Sequence, residues 1–310
     1  MKQKPMLGFS LALLASAMWG ALPIAVKQVL VAMDAQTLVW FRFMIAGLVL
    51  FIVLRLSGKL PKLTALSRRL KMFCVLGAIG LAVNFFLFSY ALHYISPTTN
   101  QVLWQLAPFT MILCGVVIFR EKFAIHQKIG FALLIIGLVA FFNDHFDEIL
   151  QLGAYAYGIV IGAMAAVIWV LYGISQKMLS ETFSSQQILC IIYLGCALLL
   201  TPFAQPTQFY ALNGFALGCF IFCCLNTLIG YGAYGEALKH WEASKVSVVT
   251  ILLPIFTMIF SIIGHNLYPN LFAAPDMNLL SYIGALIVVA GTILSAIGHK
   301  LIKNNNEETK

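Results

Sequence analysis

Apolar and polar positions alternate on a long period, and ten apolar runs can be delimited, at 7–26, 37–54, 72–92, 97–119, 128–142, 153–175, 185–204, 214–238, 244–266 and 279–299. A helix rising ~1.5 Å per residue needs ~20 residues to cross a ~30 Å hydrocarbon core, so runs of this length predict membrane spans. The fourth run is the most informative. It opens with Pro97 and a polar turn (Thr98, Thr99, Asn100), continues without charge, and stops at Arg120, Glu121 and Lys122. Gln101 and Gln105 share one helical face with Thr98 and Pro108. Amides are costly against lipid, so this face is expected to point inward. Pro108 removes a backbone donor in mid-span and predicts a kink, as does Pro23 in the first run.

The ninth run repeats this plan with Ser247, Thr250, Pro254 and Thr257 along one face, and Pro254 lies 146 residues after Pro108. Other matches follow in the same order. Ser16-Ala17-Met18-Trp19 with Lys27 corresponds to Ala166-Val167-Ile168-Trp169 with Lys177, 150 residues on. Tyr90-Ala91-Leu92-His93 corresponds to Glu236-Ala237-Leu238-Lys239 at 146, and Gly130 and Gly137 correspond to Gly284 and Gly291 at 154. The chain therefore reads as two five-span repeats, 1–145 and 146–310, with an insertion before the tenth span. Five is odd, so the second copy enters the membrane from the opposite side. Inverted repeats with polar, interrupted helices at matching positions point to a secondary transporter with its site near the midplane.

Composition agrees with an all-α membrane protein: 61% of the 310 residues are hydrophobic, only 10% are charged, and mean hydropathy is +0.94. Soluble domains carry about 25% charge. The first run contains Trp19 and Pro23, lacks a small-residue cleavage site and is followed at once by further spans, so it is read as a span and not a signal peptide. The formal charge of +8 does not indicate nucleic acid, because all but Lys27 and Arg42 of the 19 lysines and arginines fall on one side once the N-terminus is placed inside. By the positive-inside rule both termini are expected in the cytoplasm. The seven cysteines lie in apolar runs without metal-ligand spacing, and neither a metal, a disulfide framework nor a cofactor is implied. The expected partners are a small-molecule substrate and membrane lipid, with the chain a monomer or homodimer. The pairs Gly158/Gly162 and Gly214/Gly218 are expected to be close-packing faces.

The chain resembles the ten-helix drug/metabolite transporter superfamily, specifically its EamA-type members. The resemblance rests on Trp19-Gly20, Arg42 in the second span, the polar fourth span ending in Arg120-Glu121, the glycine-rich fifth span and the repeated half. It implies a bacterial inner-membrane carrier that exports or exchanges small metabolites through a cavity between the halves, lined by spans 1, 3, 4, 6, 8 and 9. The acid usual near the end of the family's ninth span is replaced by Gly264-His265-Asn266.

The candidate substrate-binding residues are Trp19, Arg42, Asn84, Tyr90, Gln101, Trp104, Gln105, Trp169, Asn226 and Thr250, with Lys27, Glu121 and Glu236 as gate candidates. Arg42 has two readings: it snorkels to the outer interface, or it faces the cavity and attracts a carboxylate. Lys27 can likewise be an interfacial anchor. Asn84 and Asn226 serve either helix packing or substrate, and the aromatics either fill core or stack on a ligand. A carrier of amino acids or related carboxylates is favoured, and nucleosides or sugars suit the same amides. A membrane enzyme is disfavoured, as no H-E-x-x-H, G-x-S-x-G or mid-span acid pair occurs. A structural or receptor-like protein has little use for amides and prolines at matching mid-span positions.

Overall fold

The computed structural model describes residues 4–61, 67–118, 120, 122–275 and 277–307. Among the described residues all regular structure is helical, in thirteen α-helices and a few 3-10 turns. These are α1 (Pro5–Val29), α2 (Ala35–Leu56), α3 (Arg68–Ala91), α4 (Pro97–Leu103), α5 (Leu106–Ile118), α6 (Ile125–Phe141), α7 (Phe146–Leu150), α8 (Ala154–Leu179), α9 (Ser185–Leu200), α10 (Gly214–His240), α11 (Ala243–Ile251), α12 (Leu253–Leu267) and α13 (Leu279–Glu307). Polar caps set the starts of several spans: Asp34, Ser67, Ser96, Ser184 and Asn213 each accept the backbone N–H three residues on.

Nine helices or joined helix pairs among the described residues are long and apolar enough to cross a membrane. The tenth span is α6, 17 residues long, whose continuation through 143–150 is bent by 54°. Only 33–44% of the residues in the most apolar stretch of each of the nine are buried, which leaves the remainder to lipid. Ile52, Val117, Ile136, Leu198 and Leu286 accordingly project outward.

The duplication is borne out in the helix starts. Ala35 and Ser185 stand 150 apart, Arg68 and Gly214 stand 146 apart, as do Pro97 and Ala243, and Ile125 and Leu279 stand 154 apart. Packing follows the same relation. The third span of each copy lies along the first span of the other, α3 on α8 and α10 on α1, while α2 pairs with α9 and α6 with α13. Like-with-like and reciprocal pairing is what a two-fold relation between inverted copies produces.

Along α6 and α13 the repeated glycines meet crosswise, Gly130 against Gly291 and Gly137 against Gly284. A Cβ on Gly137 would stand 2.7 Å from the Val288 nitrogen, and one on Gly291 would stand 2.7 Å from the Gly130 carbonyl oxygen, so the backbones touch. Gly158 and Gly162 of α8 also pack closely as expected, against Ile95 and Asn100. Gly214 and Gly218 do not: a Cβ at either meets nothing within 4 Å, which corrects the expectation of a second packing face. Spacing of glycines says that a face is smooth, and only a neighbouring helix makes it an interface.

Candidate functional site

The site is built around Pro23, inside α1. Pro23 has no N–H, so the Trp19 carbonyl one turn earlier loses its helical donor. Gln101 of α4 supplies one, donating from Nε2 at 3.1 Å. The neighbouring carbonyls are engaged too: Asn226 of α10 donates to Met18 O, and Thr257 of α12 donates to Gly20 O at 2.7 Å. Ser16 Oγ in turn donates to Val249 O of α11 at 3.1 Å. The fourth span breaks between α4 and α5, and the ninth breaks between α11 and α12. Each break falls two or three residues before its proline, so Pro108 and Pro254 sit in the first turn of the following helix, where a missing N–H leaves no bond unmade. The two breaks touch. Gln105 Nε2 donates to Ile251 O at 3.0 Å, and these residues are 146 apart, the same spacing as the prolines. Asn84 of α3 completes the layer by donating to Ala165 O of α8 at 2.8 Å. The four amides proposed from sequence thus spend a donor each on backbone of another helix.

Arg42 lies seven residues into α2, roughly 10 Å down the axis. It is 1% exposed, which is incompatible with snorkelling to an interface. Its Nε donates to Thr227 Oγ1 at 3.1 Å, and the guanidinium carbon stands 4.7 Å from the Phe85 ring centroid. Tyr193 donates to the Thr227 carbonyl at 3.4 Å, and Tyr231 packs between Tyr193 and Trp19, with ring centroids 6.2 and 5.0 Å away. Among the described residues the ion pairs are His145 with Glu148, Lys239 and His240 with Glu236, and Lys245 with Glu242, and none of them involves Arg42.

Two clefts approach the bonded layer from opposite ends. A cavity of ≈ 810 Å³ opens at the end that holds Lys27, between the end of α1, the start of α4 and the α12–α13 connection. Lys27 Nζ donates there to Ile95 O at 3.2 Å. A smaller cleft of ≈ 370 Å³ opens at the other end between α2, α9 and α10, with Tyr193, Thr227 and Tyr231 innermost, Gly232 and Gly235 along α10, and Glu236 towards the rim.

The remaining sequence candidates are dispersed. Trp104, at the α4–α5 break, stands edge-on to Trp169 at 5.8 Å, and Trp169 neighbours Tyr172 at 6.0 Å. Tyr90 stacks on Phe86 and meets the Tyr94 hydroxyl at 3.1 Å, near the Lys27 end. Thr250 bonds back to Ser247 O of its own helix at 2.9 Å. Glu236 is half-exposed and held by Lys239 at 2.7 Å and His240 at 3.2 Å in its own last turn. Glu121 lies outside the described residues. Thr227, Tyr193 and Phe85 are the site residues that sequence reasoning missed. Thr227 had a signal, a hydroxyl next to mid-span Asn226, whereas Phe85 among 24 phenylalanines had none.

Ten spans in two inverted halves, with interrupted fourth and ninth spans meeting at mid-depth, define a polytopic membrane transporter. The chain belongs to the EamA-like transporter family, which matches residues 6–143 and again 156–297. It is 52% identical over 261 residues to an uncharacterized transporter of Haemophilus influenzae, covering 84% of this chain and 85% of that one. It is 43% identical over 263 residues to the uncharacterized inner membrane transporter YhbE of Escherichia coli K12, covering 84% and 82%. A probable amino-acid metabolite efflux pump of the same organism is 22% identical over 263 residues, covering 79% and 82%. A solved crystal structure superposes with a TM-score of 0.65 at 17% identity, covering 95% of this chain and 98% of the other, a likeness of fold alone.

Proposed function

We propose that the chain is a secondary carrier of the bacterial inner membrane that exports or exchanges small carboxylate-bearing metabolites, amino acids or related compounds, by alternating access. The observation that carries the substrate class is Arg42, a buried guanidinium whose neighbours are a hydroxyl and an aromatic face and which, among the described residues, has no carboxylate partner. A buried charge left uncompensated costs several kcal/mol, and a substrate anion offsets that cost. Alternating access is supported by the interrupted helices of both halves, 1–145 and 146–310, meeting at mid-span. The names of the two Escherichia coli relatives are in keeping with an inner-membrane location and with cargo of this class.

In this reading the lysine and arginine asymmetry places both termini and the Glu236 cleft in the cytoplasm, and the Lys27 cavity outside. Single cysteines at exposed Asp147 and at Lys62, which lies outside the described residues, test that orientation. Only the cysteine at 147 should react with an impermeant reagent added to whole cells, and reaction at 62 instead would invert the topology. The substrate class is tested by flux of labelled carboxylates in everted vesicles. Arg42→Gln should abolish it, and unchanged flux of every tested amino acid in both Arg42→Gln and Gln105→Ala would remove the carboxylate reading.

A further inference from the structure

The cleft between α2, α9 and α10 ends at Thr227, whose hydroxyl accepts the Arg42 Nε hydrogen bond, so the guanidinium stands one hydrogen bond behind the inner wall. A guanidinium has five N–H donors, and among the described residues one of them, Nε–H, is engaged, by Thr227. The side walls are apolar, from Leu50, Leu189 and Leu228. The carboxylate that lines the cleft, Glu236, is nine residues further along α10, ~13 Å from Thr227 along the helix axis, and already holds Lys239 and His240. The inner end is therefore backed by one fixed positive charge, and among the described residues no carboxylate lies beside it.

We infer that this cleft is the ligand seat and that it selects monoanionic carboxylates without an α-ammonium, such as 2-oxo acids with an apolar body, over α-amino acids. The inference rests on the carboxylate reading above and narrows it. A monocarboxylate brings the charge at the inner end to zero. An α-amino acid leaves it at +1 and, because its two charged groups share one carbon, forces the ammonium beside the guanidinium in a region shielded from water, where like charges repel most strongly. The apolar body lies along Leu50, Leu189 and Leu228, over a stretch of α10 that two glycines keep open. A Cβ on Gly232 or Gly235 meets nothing within 4 Å, so the space is made by absent side chains and not by poor packing.

The test uses the full chain in lipid nanodiscs and two labelled probes with the same branched skeleton, 4-methyl-2-oxopentanoate and leucine, in equilibrium binding. The oxo acid is expected to bind at least about tenfold more tightly. Gly235→Leu, whose Cβ has free space, should remove that binding with thermal unfolding unchanged, and Arg42→Gln should remove it as well. Leucine binding equally or more tightly, with loss in Arg42→Gln, overturns the preference and leaves the carboxylate reading standing. Oxo-acid binding that survives Gly235→Leu overturns the assignment of the cleft. Binding of neither acid, or of both undiminished in Arg42→Gln, overturns this inference and the carboxylate reading together.

Discussion

α1 and α8 occupy equivalent places in the two halves, with Trp19 matching Trp169 and Lys27 matching Lys177, yet side chains of the opposing helices grip them very differently. The middle of α1 receives bonds from α4, α10 and α12 at three successive carbonyls, whereas the middle of α8 receives one from Asn84 of α3, at Ala165 O. The sequence difference behind this is small. At the 150-residue offset Pro23 corresponds to Gly173 and Gly20 to Val170, and at the 146-residue offset Gln101 corresponds to Ser247. Glycine keeps its N–H, so α8 satisfies its own backbone, while the proline in α1 leaves a carbonyl that lipid cannot satisfy. The amide of Gln101 is then explained by Pro23 as much as by any substrate. A duplicated fold can keep its architecture while one copy acquires a polar joint and the other does not.

Making the two copies alike is the strongest way to break this contrast. Gly173→Pro would orphan the Trp169 carbonyl, and Ser247, which holds the position matching Gln101, is too short to stand in for a glutamine, so the change should cost about 3 kcal/mol or more. Thermal unfolding in nanodiscs would show a large fall, and an unchanged midpoint would mean that α8 has a donor in reserve.

Somewhat smaller effects are expected one turn away. A Cβ on Gly20 would stand 2.5 Å from Phe256 Cβ, whereas the equivalent position of α8 already holds Val170, 4% exposed. Gly20→Val should therefore destabilise by about 1–3 kcal/mol through overpacking. Val170→Gly should cost less than Gly20→Val, and the reverse order by the same unfolding measurement would show that α12 yields more easily than α1 holds.

Gln101→Leu removes the donor to the Trp19 carbonyl and should cost about 1–3 kcal/mol, the penalty of an unsatisfied buried group. Pro23→Ala restores an N–H one turn below, so the same Gln101 change made in that background should be nearly silent. A double-mutant cycle with a coupling of about 1–3 kcal/mol is the expected result, and additive effects would dissociate Gln101 from Pro23.

The smallest difference concerns the reciprocal asparagines. Asn84→Leu and Asn226→Leu each break a bond from a third span to the first span of the other copy, and each should cost about 0.6 kcal/mol, the average for such bonds in membranes. Asn226→Leu should be the larger of the two, since it acts on the joint that already carries Gln101 and Thr257.

Much of the fold was legible because it follows from local physics. Span length comes from the thickness of hydrocarbon, the breaks in the fourth and ninth spans are marked by Pro108 and Pro254, the orphaned carbonyl in the first by Pro23, and the repeat by residues recurring at 146, 150 and 154. The candidate site was legible in part. Arg42, Trp19 and the amides were picked out because their chemistry is unusual in a span, but Thr227, Tyr193 and Phe85 were not, since hydroxyls and rings are ordinary there.

What the sequence by itself determined is therefore which segments cross the membrane, which of them bend, and which positions correspond between the halves. Only the tertiary structure decided that Gln101 serves the Trp19 carbonyl, that Gln105 reaches Ile251, that Arg42 is enclosed and not interfacial, and that Gly214 and Gly218 face open space. The reason is physical. A backbone donor or an apolar length belongs to one segment, but the partner of a side chain depends on the rotation and approach of several helices at once, and no single span contains that information.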